Sequence, residues 1–227
     1  MVHFNGLCDF ILVFGAFSMK RSSFCYPTLK EVNTYISYVE HFQSKPLRIL
    51  VKTMLLTGIR FAEAINGWYF YDAEGVLFFQ CVSAKRRKIL IAREGQSRYL
   101  GKKILENYLT QPIWKKIKCV NLFKMDISEI EEIAETPMQP LGEVTGFSNY
   151  LSAYRSLKKE LPNLKVKFRM NEDEELSTAI EIPAFHFFRK LYAAEYTRQF
   201  GMPAAVEKMK WKNLNVFFNY VKDYEVE

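Results

Sequence analysis

The spacing of apolar residues changes along the chain, and this change limits the fold class more than any other feature. Between residues 28 and 67, apolar side chains recur at the three-to-four-residue spacing of helices. Residues 75–92 instead hold two apolar runs, 75–82 and 89–92, on either side of a polar turn, which is the pattern of a β-hairpin. Helical spacing then predominates again. The pattern predicts a mainly α domain with a small antiparallel β-sheet, an α+β fold.

Local signals give expected boundaries for these elements. The sequence Thr28–Glu31 fits a capping box at the start of a first helix. A second helix is expected over 46–57, where Gly58 ends it, and a third over 61–67. The remaining expected elements are helices near 99–109, 128–135, 146–161, 185–199, 203–209 and 213–224, and short strands at 164–168 and 177–182 around an acidic loop.

Composition and charge narrow the class of protein. Hydrophobic residues make up 49% of the chain, which supports a sizeable core and excludes a disordered chain. The formal net charge is +7, which permits a polyanionic partner such as nucleic acid. Basic residues concentrate between 83 and 118, as phosphate contact requires, although a solvated basic surface would look the same. The expected DNA-binding residues are Arg86, Arg87, Lys88, Arg93, Arg98, Lys102 and Lys103.

Several kinds of site are not expected. The four cysteines and three histidines are scattered, so neither a structural zinc site nor another metal cluster is predicted. Scattered cysteines in a chain of this size indicate reduced thiols and a cytoplasmic location. No apolar run approaches the ~20 residues of a membrane-spanning helix. The sequence also lacks a glycine-rich phosphate loop and the nucleophile elbow of hydrolases, and no cofactor is predicted.

An ordered set of residues carries the expected chemistry. Residues 57–63 read TGIRFAE and place Arg60 directly after a glycine. His186 and Arg189 form the motif HFFR and project from one face of a predicted helix. An arginine matches phosphate oxygens with paired donors, and a histidine moves protons near neutral pH. Trp211 lies 22 residues after Arg189, and Tyr220 follows nine residues later.

Together with a lysine on the predicted hairpin tip, this set resembles the catalytic domain of the tyrosine recombinase (phage integrase) family. TGIRFAE is similar to the family's first box, T-G-x-R-x-x-E, and HFFR to its second, H-x-x-R. The resemblance covers about residues 27–224 and implies the DNA breaking-rejoining enzyme fold. Residues 1–26 form an unassigned N-terminal extension, and no separate N-terminal core-binding domain is expected. The short, lysine-rich and aromatic-rich sequence resembles integrases of archaeal viruses and plasmids, which are mobile genetic elements.

The resemblance also implies a role for each residue. Tyr220 would attack DNA and form a 3′-phosphotyrosine, with Tyr224 as the alternative nucleophile. Arg60 and Arg189 would clamp the phosphate. Lys85, or Lys88 on the same tip, would protonate the leaving oxygen, and His186 would accept the tyrosine proton. Trp211 would either donate its indole N–H to the phosphate or only buttress the site.

These roles describe a site-specific recombinase that needs neither metal nor ATP. Double-stranded DNA is the expected partner, and assembly into an oligomer on DNA is expected as well. Two alternatives remain. One is a DNA-binding protein of the same fold that no longer cuts, and the other is an activity like that of type IB topoisomerases.

Overall fold

A computed structural model describes residues 23–24, 29–83, 100–107, 109, 113–136, 138–161, 168–169 and 184–211. Eight helices and five strands lie within these ranges. In chain order they are β1 (Ser23–Phe24), α1 (Leu29–Glu40), α2 (Lys45–Thr57), α3 (Phe61–Ala64), β2 (Gly67–Tyr71), β3 (Leu77–Val82), α4 (Gly101–Glu106), β4 (Trp114–Lys118), α5 (Ser128–Ala134), α6 (Leu141–Thr145), α7 (Tyr150–Glu160), β5 (Phe168–Arg169) and α8 (Ala184–Met209). The described chain is therefore mainly helical with a small three-stranded antiparallel sheet, as the sequence predicts.

Helix α2 is the centre of the core, and its ends follow from local sequence. The Ser44 side chain caps its start by accepting a hydrogen bond from the Leu47 N–H at 3.4 Å. Gly58 ends it in the left-handed conformation, with φ +67°, and its N–H returns to the Met54 carbonyl at 2.9 Å. Residues 49–57 are all buried, which is what a helix surrounded by other elements requires.

The main sheet has the order β2–β3–β4, and both neighbouring pairs are antiparallel. One face, with Tyr69 and Phe79, belongs to the core around α2. The other face, with Trp68 and Val82, packs against Leu105 of α4 and against Leu100, which directly precedes that helix. The sheet therefore divides two clusters of buried residues.

Strand β3 confirms the first half of the predicted hairpin, but its partners differ from the prediction. Both of its edges are occupied, by β2 through Tyr69 opposite Phe79 and by β4 through Ile117 opposite Phe79. The run 89–92, expected to be its partner, lies outside the described residues. The third helix was expected to extend to Gly67, yet it ends at Ala64 and Gly67 begins β2. The aromatic sequence GWYFY has high strand propensity and gains pairing with β3, which outweighs the helical spacing.

Helix α8 lies along α2 and carries the second motif. Its buried side chains Phe185, Phe188 and Leu191 pack into the same core as α2. At Gly201 the backbone takes φ +80° and ψ +166°, which interrupts the helix and matches the two helices predicted over 185–199 and 203–209. The helix expected over 213–224 lies outside the described residues.

Most of the other predicted helices have a counterpart among the described residues. Helices α1, α5 and α7 lie where the spacing predicts them, and α4 occupies part of 99–109. The small helix α6 was not predicted. The strand expected over 164–168 overlaps β5, which pairs antiparallel with β1 of the predicted N-terminal extension. The capping residue Thr28 and the strand at 177–182 lie outside the described residues.

Candidate active site

The turn from Gly58 to Glu63 connects α2 to α3 and positions the first motif. Arg60 precedes α3 in an extended conformation, with φ −80° and ψ +152°. Its N–H donates to the Glu63 carboxylate Oε2 at 3.1 Å, and the Glu63 N–H donates to the Arg60 carbonyl at 2.9 Å. The Arg60 side chain is 49% exposed. The turn thus fixes the backbone of Arg60 while its guanidinium reaches the surface.

Two residues of α8 hold this turn in place. Arg189 is buried, and its Nη1 donates a hydrogen bond to the Gly58 carbonyl. Tyr192, one helical turn further on, packs against Gly58 so closely that a Cβ added there would lie 2.3 Å from the ring carbon Cδ1. We refer to these contacts of Gly58 with Arg189 and Tyr192 as the α2–α8 clamp. The clamp places the two motifs side by side although they are far apart in sequence.

Glu63 is the anionic centre of the turn. Its side chain is fully buried, and Oε1 lies 2.6 Å from the Lys115 Nζ and 3.9 Å from the Arg60 Nη1. Lys115 comes from β4, opposite Cys81 on β3. Pairing with two cations compensates the desolvation of the carboxylate. Glu63 thereby joins the first motif to the edge of the sheet.

His186 lies among positive charges. Burial, as the largest cause, and the nearby cations Arg189, Lys190 and Arg60 together lower its pKa to about 4. The imidazole is therefore neutral at pH 7 and able to accept a proton. A group of three cations around a neutral imidazole favours an anion, which would also stabilise the protonated imidazole.

The low pKa of His186 predicts a loss of stability in acid. Unfolded histidine binds a proton near pH 6.5 and the folded His186 only near pH 4. Between these values the unfolded state binds more protons, so the free energy of unfolding falls as the pH drops from 6.5 towards 4. We expect His186→Gln to show a smaller fall than wild type when urea unfolding is measured at pH 7 and pH 4.5. An equal fall in the free energy of unfolding for the two proteins would contradict the lowered pKa of His186.

Trp211 lies behind the clamp. It is 9% exposed and belongs to a buried cluster with Tyr192 and Met209. The Met209 sulfur is also among the atoms nearest to Gly58, at 3.0 Å from an added Cβ. This position suits the buttressing role, one of the two expected for Trp211.

The structure brings together only some of the predicted residues. Arg60, His186 and Arg189 lie at one site, with Trp211 behind it. Lys102 and Lys103 lie on α4, and the Lys102 side chain is exposed. The predicted residues outside the described ranges are Lys85, Arg86, Arg87, Lys88, Arg93, Arg98 and Tyr220, with the alternative nucleophile Tyr224.

Two residues of the site were not predicted as site residues. Lys115 contacts Glu63, and Lys190 is buried beside His186. Lys190 directly follows the second motif, so its position in the sequence was a usable signal. Lys115 belongs to the basic stretch 83–118, but its contact with Glu63 could not be predicted, because that contact depends on the pairing of β4 with β3.

No protein-family model, curated protein or solved structure matches the chain. Within the described ranges, no group of three or more potential ligands could hold a metal ion. None of the helices in those ranges is both long and apolar enough to cross a membrane.

Proposed function

We propose that the protein is a site-specific DNA recombinase or integrase that cuts and rejoins double-stranded DNA through Tyr220, and that it has the tyrosine recombinase catalytic-domain fold. The observation that carries this proposal is the α2–α8 clamp. It places Arg60 of the first motif beside His186 and Arg189 of the second, and these are the side chains that such chemistry needs around a phosphate.

The reaction transfers a phosphoryl group from the 5′ oxygen of DNA to tyrosine. The new phosphotyrosine bond preserves the energy of the phosphodiester bond that breaks. The Tyr220 phenolic oxygen attacks the scissile phosphorus, the bond from phosphorus to the 5′ oxygen breaks, and a 3′-phosphotyrosine remains. Negative charge grows on the non-bridging oxygens in the transition state. Arg60 and Arg189 supply two guanidiniums for these oxygens, each able to donate paired hydrogen bonds. Attack by a different 5′ hydroxyl then reverses the chemistry and exchanges strands.

Proton transfer is assigned to two further residues. His186 accepts the phenolic proton, since its neutral imidazole is ready to do so at pH 7 and the phosphate charge offsets its new positive charge. Lys85 donates a proton to the departing 5′ oxygen, with Lys88 as the alternative donor on the same predicted tip. After religation both residues return to their starting states.

Exposed lysines of the described sheet and helix support contact with DNA. Lys116 and Lys118 are exposed on the edge strand β4, and Lys102 is exposed on α4. These elements belong to the basic stretch 83–118 that the sequence singles out. Lysines on an exposed edge can contact successive phosphates without reading bases.

The test is cleavage of supercoiled plasmid in buffer without metal or ATP. We expect wild type to relax the plasmid and to form a protein–DNA adduct that survives denaturation, and Tyr220→Phe to do neither. Tyr224→Phe is the matched control, because it removes the other candidate hydroxyl. Adduct formation by Tyr220→Phe but not by Tyr224→Phe would move the nucleophile to Tyr224.

Other outcomes separate the two alternatives. If wild type binds DNA in a gel shift but forms no adduct, the protein is a DNA-binding protein that does not cut. If it relaxes plasmid but never joins strands of two labelled duplexes, the activity is like that of a type IB topoisomerase.

A further inference from the structure

The buried carboxylate of Glu63 lies beside two cations but contacts them unequally. Lys115 Nζ is 2.6 Å from Oε1, whereas Arg60 Nη1 is 3.9 Å from the same oxygen. The second oxygen, Oε2, accepts the backbone N–H of Arg60. Of these two cations Lys115 is therefore the closer counter-ion of Glu63, and the carboxylate does not hold the Arg60 guanidinium in direct contact.

The exposure of the three side chains agrees with the closer pairing of Lys115 with Glu63. Glu63 is fully buried, the Lys115 side chain is 26% exposed and that of Arg60 is 49% exposed. A buried carboxylate needs a counter-charge in close contact, and the partly buried amine supplies it. The more exposed guanidinium is thus available to a ligand arriving from solvent.

We propose that Lys115 is a positioning residue that binds the Glu63 carboxylate and so leaves the Arg60 guanidinium available to a DNA phosphate. This inference rests on the function proposed above, in which Arg60 contacts the scissile phosphate. Lys115 then acts through Arg60 and has no contact of its own with the reacting atoms.

The inference follows from what Glu63 would do without the lysine. The carboxylate would remain buried, with the Arg60 guanidinium still 3.9 Å away on the same turn. Attraction grows as the distance shortens, so the guanidinium would move from 3.9 Å into direct contact. An arginine held in that ion pair is lost to the phosphate.

Three variants test this inference by cleavage of a DNA duplex. Lys115→Met should slow cleavage by about 100-fold, the loss typical of one transition-state donor. Lys115→Arg keeps the counter-charge and should retain most of the rate. The double variant Glu63→Gln with Lys115→Met removes both charges, and its amide oxygen still accepts the Arg60 N–H. It should recover to within about tenfold of wild type.

A second readout follows the charge of Arg60 without any cleavage. Arg60 is one of the cations that lower the pKa of His186. In Lys115→Met, Glu63 would neutralise Arg60, so NMR titration of the His186 ring should give a higher pKa than in wild type. In the double variant, which lacks the carboxylate, the pKa should stay low. His186→Gln assigns the resonance among the three histidines.

The outcomes are distinct. Wild-type cleavage by Lys115→Met, or a double variant as slow as Lys115→Met, would overturn the inference. An equal His186 pKa in all variants would overturn it too. If wild type itself does not cleave DNA, the proposed function fails, while the titration still decides whether Lys115 controls Arg60. If Lys115→Met does not fold, the double variant provides the test. The inference then requires the folded double variant to cleave DNA within about tenfold of the wild-type rate.

Discussion

Arg189→Lys should slow DNA cleavage by about 10²–10³-fold in a chain that remains folded. Lysine keeps the positive charge but loses the planar fork of donors that fits phosphate oxygens. A guanidinium carries five N–H donors, so one side chain can both hold the Gly58 carbonyl and contact a phosphate. The measurement is the single-turnover rate of adduct formation, with circular dichroism to verify folding.

Arg198→Lys is the matched control for this prediction. Arg198 lies on the same helix, is 39% exposed and pairs with Glu195, away from the first motif. We expect its cleavage rate to stay within about threefold of wild type, since lysine keeps the positive charge that pairs with the buried Glu195. Arg189→Lys cleaving as fast as Arg198→Lys would show that Arg189 only holds the turn.

Gly58→Ala should produce the largest loss of stability, about 2–5 kcal/mol. The backbone at Gly58 has φ +67°, where a Cβ costs about 1–2 kcal/mol. The added methyl group would also lie 2.3 Å from Cδ1 of Tyr192, so the ring and α8 must shift, which typically costs about 1–3 kcal/mol more. Urea unfolding at pH 7 measures the change.

Gly146→Ala separates the cost of the backbone conformation from the cost of the clash with a neighbouring side chain. Gly146 ends α6 with φ +68°, almost the same backbone conformation, but an added Cβ there meets nothing within 4 Å. We expect it to lose only the backbone term, about 1–2 kcal/mol. Equal losses in the two variants would show that close packing of Tyr192 on Gly58 contributes nothing to stability.

The helical part of the fold could be predicted from sequence because its signals are local. Helix α2 shows this, since Ser44, the apolar spacing and Gly58 all lie within or next to it. Strands β2 and β4 could not be predicted in the same way. The sequence WKKIK of β4 looks like part of a charged segment, and it becomes a strand only because Ile117 and its neighbours pair with β3.

The candidate site shows the same difference between features set by local sequence and features set by distant contacts. Arg60, His186 and Arg189 were identified by motifs, and the structure brings them together through the α2–α8 clamp. The low pKa of His186 could not be predicted, because burial and its charged neighbours exist only in the folded chain. The contact of Lys115 with Glu63 was missed for the same reason, as it depends on the register of β4 against β3.

The clamp also sets the order in which the parts of the candidate site can assemble during synthesis. The Arg189–Gly58 hydrogen bond joins residues 131 positions apart, so it forms only after the ribosome has made the whole of the intervening chain. A nascent chain that stops before α8 carries the Arg60 turn but lacks His186 and Arg189. Contacts of such long range also form slowly, because a large loop must close. If the proposed cleavage depends on this clamp, chains that end before α8 should form no adduct with DNA.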